Sequence, residues 1–166
     1  MLRYLFVCVV LALSLSINTS IMANTSYSTE DIEMIIHNAE RGDVDAQYRL
    51  GVMYDFGQGV NQDSEQARHW FEKSAKQSHV FAQLFLAALY YNGEGVQQDY
   101  VQARYWFEKA AEQGDADAQI GLGLIYQNGH GVRQNKRKAK EFFGQACDKG
   151  EQAGCDAYRS LNEQGY

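Results

Sequence analysis

Apolar positions in this chain fall into short stripes with helical spacing, cut by glycine turns. Over 43–56, Ala46, Leu50, Met53 and Tyr54 stand at i, i+4, i+7 and i+8, one face of an amphipathic helix. Gly57 ends it, because the residue past a helix end often takes positive φ. Over 64–77, Ala67, Trp70, Phe71 and Ala75 share one face of a second helix. Asp63 predicts its N-cap, with Gln66 three residues on as a capping-box partner. Asp99 and Gln102 repeat this pair, while Asn135 keeps the cap and Lys138 loses the box. Ile32, Ile35, Ile36 and Ala39 predict a lone helix over 29–41, and another is expected over 151–163.

The pattern recurs every 36 residues without gaps. Ala46, Ala82 and Ala118 align, as do Leu50, Leu86 and Leu122, and Tyr54, Tyr90 and Tyr126. Gly57, Gly93 and Gly129 follow, then Gly59, Gly95 and Gly131, then Ala67, Ala103 and Ala139. Trp70, Trp106 and Phe142 stand beside Phe71, Phe107 and Phe143. This divides the chain into helix pairs at 43–78, 79–114 and 115–150, a linker and capping helix at 24–42, and a capping helix at 151–166. The alanine columns let helices approach, and the aromatic columns fill the wider gaps. One pair cannot bury both faces, so the units must stack.

Each unit reads A-x-x-x-L-G-x-x-Y-x-x-G-x-G-V, then D-x-x-x-A-x-x-W-F-x-K-A-A-x-x-G. The second, for example, runs AQLFLAALYYNGEGVQQDYVQARYWFEKAAEQG. Over about 39–155 the chain resembles the Sel-one-like repeat family, a branch of the tetratricopeptide-type solenoids. The departures are Ala87 for glycine, Ser78 for the glycine between units, and Phe142 for tryptophan. The resemblance implies an all-α fold, a right-handed α/α solenoid, and service as an adaptor or scaffold for other proteins.

At 166 residues there is room for one domain with a core, and 13% aromatic residues argue against disorder. With no proline, the turns rest on glycine, asparagine and aspartate. Arg3, the apolar run Leu5 to Leu15, and Ser20-Ile21-Met22-Ala23 read as a signal peptide over 1–23 cleaved after Ala23. The run is shorter than the ~20 residues a membrane span prefers, so no stable insertion is expected after cleavage. Export to the periplasm is the expectation, with release to the medium as the alternative. Losing 1–23 removes Arg3 and no acid, which takes the net charge from −6 to −7. A chain so acidic is not expected to bind nucleic acid. The charge is uneven, with acids gathered over 30–55 and a basic run of Arg133, Lys136, Arg137, Lys138 and Lys140.

Cys147 and Cys155 remain after such a cleavage. On one unbroken helix, residues eight apart lie ~12 Å apart along the axis, too far to bond. Gly150 lies between them where the repeat predicts a turn, so neighbouring antiparallel helices would bring them together. A structural disulfide clamping the last cap is the expectation for an exported chain. Metal binding and redox work are the alternatives, but no histidine lies near and C-x7-C is not a redox motif. The spacing is similar to that of the cysteine-rich secreted members of the family.

Little in the sequence points to catalysis, and neither a cofactor nor a metal is expected. His37, His69, His79 and His130 occupy different columns and read as scattered surface residues. The G-x-G pairs lack a following G-K-[ST] and read as turns. Some cysteine-rich relatives are associated with β-lactams, so a β-lactam or cell-wall hydrolase is the enzymatic alternative, yet neither S-x-x-K nor K-T-G occurs. Arg68 with Glu72, and Arg104 with Glu108, read as ion pairs one turn apart.

The positions that break the repeat carry the partner expectation. Column 45/81/117 reads Asp, Phe, Asp; column 49/85/121 reads Arg, Phe, Gly; column 55/91/127 reads Asp, Tyr, Gln. Phe81 and Phe85, flanked by Arg49, Asp55 and Tyr91, are therefore candidates for binding a protein or peptide on the concave face. The competing reading is local packing, with Phe85 filling space left by Gly121. The basic run is a second candidate, for an acidic partner or an anionic surface, with a solvated helix start as the competing reading. An inhibitor or immunity-type protein is one version of the adaptor, and a secreted effector binding host proteins is another.

Overall fold

The computed structural model describes residues 27–166. The expected signal peptide and its cleavage point lie outside the described residues. Those residues form eight helices and no strand: α1 (Thr29–Glu40), α2 (Val44–Phe56), α3 (Ser64–Lys76), α4 (Val80–Asn92), α5 (Tyr100–Glu112), α6 (Ala116–Asn128), α7 (Lys136–Asp148) and α8 (Gln152–Glu163). Each packs chiefly against the helix before and the helix after it, as in a solenoid.

The glycine turns are as the pattern predicts. Gly57, Gly93 and Gly129 close α2, α4 and α6 at φ 68°, 76° and 74°, a region that side chains disfavour. The amides of Gln62, Gln98 and Gln134 then donate to the main-chain oxygens of Asp55, Tyr91 and Gln127, at 2.8, 2.8 and 2.7 Å. Asp63, Asp99 and Asn135 cap α3, α5 and α7. The capping boxes expected at Gln66 and Gln102 are not formed. The N–H groups of Asp63 and Asp99 already donate to the carbonyls of Tyr54 and Tyr90 at 2.9 Å, so the glutamines have nothing left to satisfy. A full box forms instead ahead of α1, between Ser28 and Asp31.

The core runs along the stack. Ala67, Ala103 and Ala139 are fully buried, as are Phe71, Leu86 and Phe143, and Leu50 and Leu122 are nearly so. At one end Ile32, Ile35 and Ile36 of α1 pack over Leu50, Met53 and Trp70. At the other Leu161 of α8 closes on Phe143.

A polar ladder threads this apolar stack. Buried Gln47 donates to the Ala39 carbonyl and Gln83 to that of Ala75, both at 3.1 Å. The amides of Gln77 and Gln113 donate to Gln47 and Gln83 at 2.8 and 2.9 Å. Two glutamines of the same unit, one on each helix of the pair or just past it, thus satisfy one another, and the pattern repeats in the next unit. The next rung breaks: Lys149 replaces the glutamine and keeps the contact to the Gly114 carbonyl that Gln77 and Gln113 make to Gly42 and Ser78, but it does not reach the buried glutamine. Gln119 Oε1 is left buried without a partner.

Cys147 on α7 and Cys155 on α8 form the expected disulfide across the Gly150 turn, with Cα atoms 4.5 Å apart. Closing so short a loop stabilises the last cap by about 2–3 kcal/mol.

Candidate functional site

The first helix of each pair, α2, α4 and α6, carries the columns that break the repeat. At the N-terminal end of α4, Phe81 is 51% exposed. Its ring centroid lies 6.1 Å from Tyr48 of α2 and 6.0 Å from His79. Tyr48 is the hub of this cluster, stacked on His79 at 4.6 Å and lying 5.9 Å from Phe85. Burial pushes the Tyr48 phenol up to about 12, so it stays neutral.

Phe85 is half-buried and does not fill a gap left by Gly121. It stacks on Phe71 of the preceding unit at 5.2 Å. Gly121 has its own neighbour: a Cβ built there would come within 2.7 Å of the Phe107 ring. Glycine lets that ring lie directly on the α6 backbone.

Tyr91 is a correction to the partner set. It is 7% exposed, packed between Tyr100 and Phe107, and its hydroxyl is 3.0 Å from His130 Nδ1. The stripe that carries Tyr48 and Asp55 on α2 faces the neighbouring unit, and Tyr91 on α4 follows the same direction into the 2–3 junction.

Arg49 is exposed, and Asp55 is half-buried. The Asp55 carboxyl is pushed up to about 6, first by burial and then by the nearby charge of Glu94, and no cation offsets it.

Two of the four histidines are not scattered surface residues. His79 Nδ1 accepts the Ala82 N–H at 3.2 Å and so caps α4, while Nε2 faces Asp45 at 3.4 Å. Desolvation holds the imidazole below its ordinary value, partly opposed by Asp45. His130 stacks on Tyr100 at 4.3 Å.

The Sel1 repeat family matches residues 44–79, 80–115 and 116–151. The chain is a Sel1 repeat protein. Among solved structures it is similar to a protective antigen of uropathogenic Escherichia coli strains displaying an SLR fold. The two share 36% identity at a TM-score of 0.78 over 81% of this chain. The chain spans 29% of that antigen's length. A Sel1 repeat protein from Oxalobacter formigenes shares 32% identity at a TM-score of 0.70, over 78% of this chain and 98% of that one. Cysteine rich protein B of Helicobacter pylori shares the fold at 20% identity and a TM-score of 0.59, over 80% of this chain and 98% of that one. No curated protein matches the chain.

As a Sel1 repeat protein, the chain carries its basic run at the start of α7, and the structure ties down much of it. Lys138 donates to the Tyr126 hydroxyl at 2.8 Å and lies over that ring, which lowers the phenol's pKa. Lys136 lies over the Tyr166 ring, and Lys140 lies over Tyr158 and donates to Asn162 and the Tyr166 main-chain oxygen. Lys136 and Lys140 thus tie α7 to α8 and the tail, and Lys138 ties it to α6, so their charges are already engaged. Arg133 and Arg137 remain exposed. Arg68–Glu72 and Arg104–Glu108 form the expected pairs at 3.2 and 3.8 Å. Among the described residues no group of three metal-ligating side chains comes together. No helix among them is long and apolar enough to cross a membrane.

Tyr48 and His79 belong to the aromatic cluster, yet sequence reasoning passed over them. The signal was present: column 48/84/120 reads Tyr, Leu, Ile and column 43/79/115 reads Asp, His, Asp.

Proposed function

We propose that this Sel1 repeat protein is an exported adaptor that holds a protein or peptide on the face formed by its first helices. The observation that carries the reading is Phe81, half exposed and braced by Tyr48 and His79 where the flanking units have aspartates. An aromatic ring held rigidly in an otherwise polar row can bury its area against a partner at little entropic cost. Sel1 repeats generally mediate contacts between proteins, which supports the same reading. Export is supported by the Cys147–Cys155 bond, which suits an oxidising compartment, and by the apolar leader of the sequence. Arg49 and Asp55 are the polar positions beside the aromatic cluster.

The test is a pull-down with wild type and Phe81→Ser as baits, both checked for helicity, from extracts of the producing cell's envelope. A partner kept by the wild type and lost by the variant is expected. Equal capture by both baits moves the site away from Phe81.

A further inference from the structure

The groove between α2 and α4 carries charge as well as aromatic surface. Asp45 and Asp55 lie on α2, Glu94 just past the end of α4 and Asp117 on α6, while Arg49 is the one lysine or arginine within α2, α4 and α6. Phe81 is flanked at the equivalent positions of both neighbouring units by aspartates, Asp45 and Asp117. At the other end, Asp55 is half-buried with the charge of Glu94 nearby, and among the described residues no cation forms an ion pair with it. In the next junction the position equivalent to Asp55 and Glu94 is filled by the bonded pair Tyr91 and His130. The 1–2 junction thus carries two acids where the 2–3 junction carries that bonded pair.

We propose that this groove binds an extended cationic peptide segment, with one Lys or Arg seated on Phe81 beside Asp45 and a second beside Asp55 and Glu94. The inference rests on the adaptor reading and names the partner's chemistry. A cation over an exposed ring with a carboxylate at its edge gains from the ring's quadrupole and from the charge-assisted hydrogen bond together. An acidic segment would meet four carboxylates instead. The spacing sets the motif. Asp45 and Asp55 are ten residues apart on one helix, roughly 15 Å along its axis. An extended chain covers ~3.3–3.6 Å per residue, so the two cations stand about four residues apart, on the same side of the peptide. The apolar residues between them lie over the half-buried rings of Tyr48 and Phe85.

The electrostatics of the groove point the same way. Asp55 gains its charge only as pH rises through about 6, and protonated His79 would compete with the incoming cation for Asp45. Both effects strengthen cation binding above that pH. The groups facing His79 are Asp45 and Tyr48 of α2 and Phe81 and Ala82 of α4.

Fluorescein-labelled octapeptides with a shared Leu/Ala spacer serve as probes, read by anisotropy at pH 7.5 against the purified chain. One carries two arginines four apart; the others carry two glutamines or two glutamates at the same places. The arginine peptide is expected to bind at least about tenfold tighter than the glutamine peptide, and the glutamate peptide not at all. Asp45→Asn and Asp55→Asn should each weaken it about fivefold. Glu30→Gln/Glu33→Gln, which removes two charges from α1 and leaves the groove intact, should change it less than twofold. Equal binding of arginine and glutamine peptides would overturn the proposal and leave an apolar docking site. Equal losses from the groove and α1 variants would reduce it to general charge attraction. No binding by any peptide would overturn it too, while the adaptor reading is judged separately by the Phe81→Ser pull-down.

Discussion

Where the first repeat meets the second, His79 caps α4, Tyr48 stacks on it, Phe85 stacks on Phe71, and Asp55 faces Glu94 without a cation. Where the second meets the third, Asp115 caps α6, Gly121 takes the Phe107 ring against its backbone, and Tyr91, Tyr100 and His130 close on one another. The backbone plan and the repeat columns are the same at both. The later junction pairs Tyr91 with His130 and buries the Tyr91 ring, although Gln119 Oε1 stays without a partner. The earlier one leaves a ring and a carboxylate facing outward. The division proposed here, packing at one junction and binding at the other, would let a repeat scaffold acquire a site without changing its fold.

Exchanging the column-49 residues tests this division most severely. Gly121→Phe forces a side chain into the Phe107 ring, where even a Cβ lies at 2.7 Å, and is expected to cost about 3 kcal/mol or more in urea unfolding. Phe85→Ala removes a ring that is only half-buried and should cost about 1–2 kcal/mol. Similar losses from both would mean that the junctions are packed alike.

Tyr91→Phe keeps the ring and removes the hydroxyl that pairs with His130 in the 2–3 junction. A loss of about 1 kcal/mol is expected, the net worth of one part-buried hydrogen bond. A neutral result would show that water serves His130 equally well.

Much of this was legible in the sequence, for a physical reason. The helix pairs, the glycine turns and the terminal caps follow from local periodicity and backbone conformation, which a 36-residue repeat displays three times over. The Cys147–Cys155 bond followed from the turn at Gly150. What could not be read was direction around each helix. Tyr91 and Asp55 share a column, yet one is buried in a network and the other is left without a cation, because their neighbours come from the next unit. The glutamine ladder was missed for a related reason: polar residues at regular spacing look like a solvated stripe until their partners, 30 residues away, are in place. The basic run looked like a patch because sequence does not show that the tail folds back over it.

Asp55→Asn reads the 1–2 junction's electrostatic strain. The folded carboxyl titrates at about 6, above its ordinary 3.8, so the native state binds the proton more tightly than the unfolded chain. That advantage is present below about pH 4 and is lost as pH rises through 6. The variant should therefore match the wild type in stability at pH 3.5 and exceed it by about 1 kcal/mol at pH 7.5, after solvent screening. The same substitution weakens the cationic peptide, so stability and binding move in opposite directions. A variant less stable than wild type at pH 7.5 would show that the carboxylate is paired in solution.

His79→Asn is the finest probe of the difference between the junctions. Asn is a good N-cap and can accept the Ala82 N–H as the imidazole does, but it does not titrate. Nδ1 accepts that N–H only while it carries no proton, and desolvation already holds the folded His79 below the ordinary histidine value of 6.5. A depressed value contributes stability above 6.5 that is lost as pH falls through the folded value. The wild type should therefore lose more stability than His79→Asn between pH 7.5 and 5, by a few tenths of a kcal/mol, measured as the difference of two unfolding midpoints. The aspartate cap of the 2–3 junction is the control, since Asp115→Asn removes a group held above its ordinary carboxylate value and not a histidine. Parallel loss in the wild type and His79→Asn would mean that the α4 cap stays intact when the imidazole is protonated. The acid sensitivity of peptide binding would then have to come from Asp55 alone.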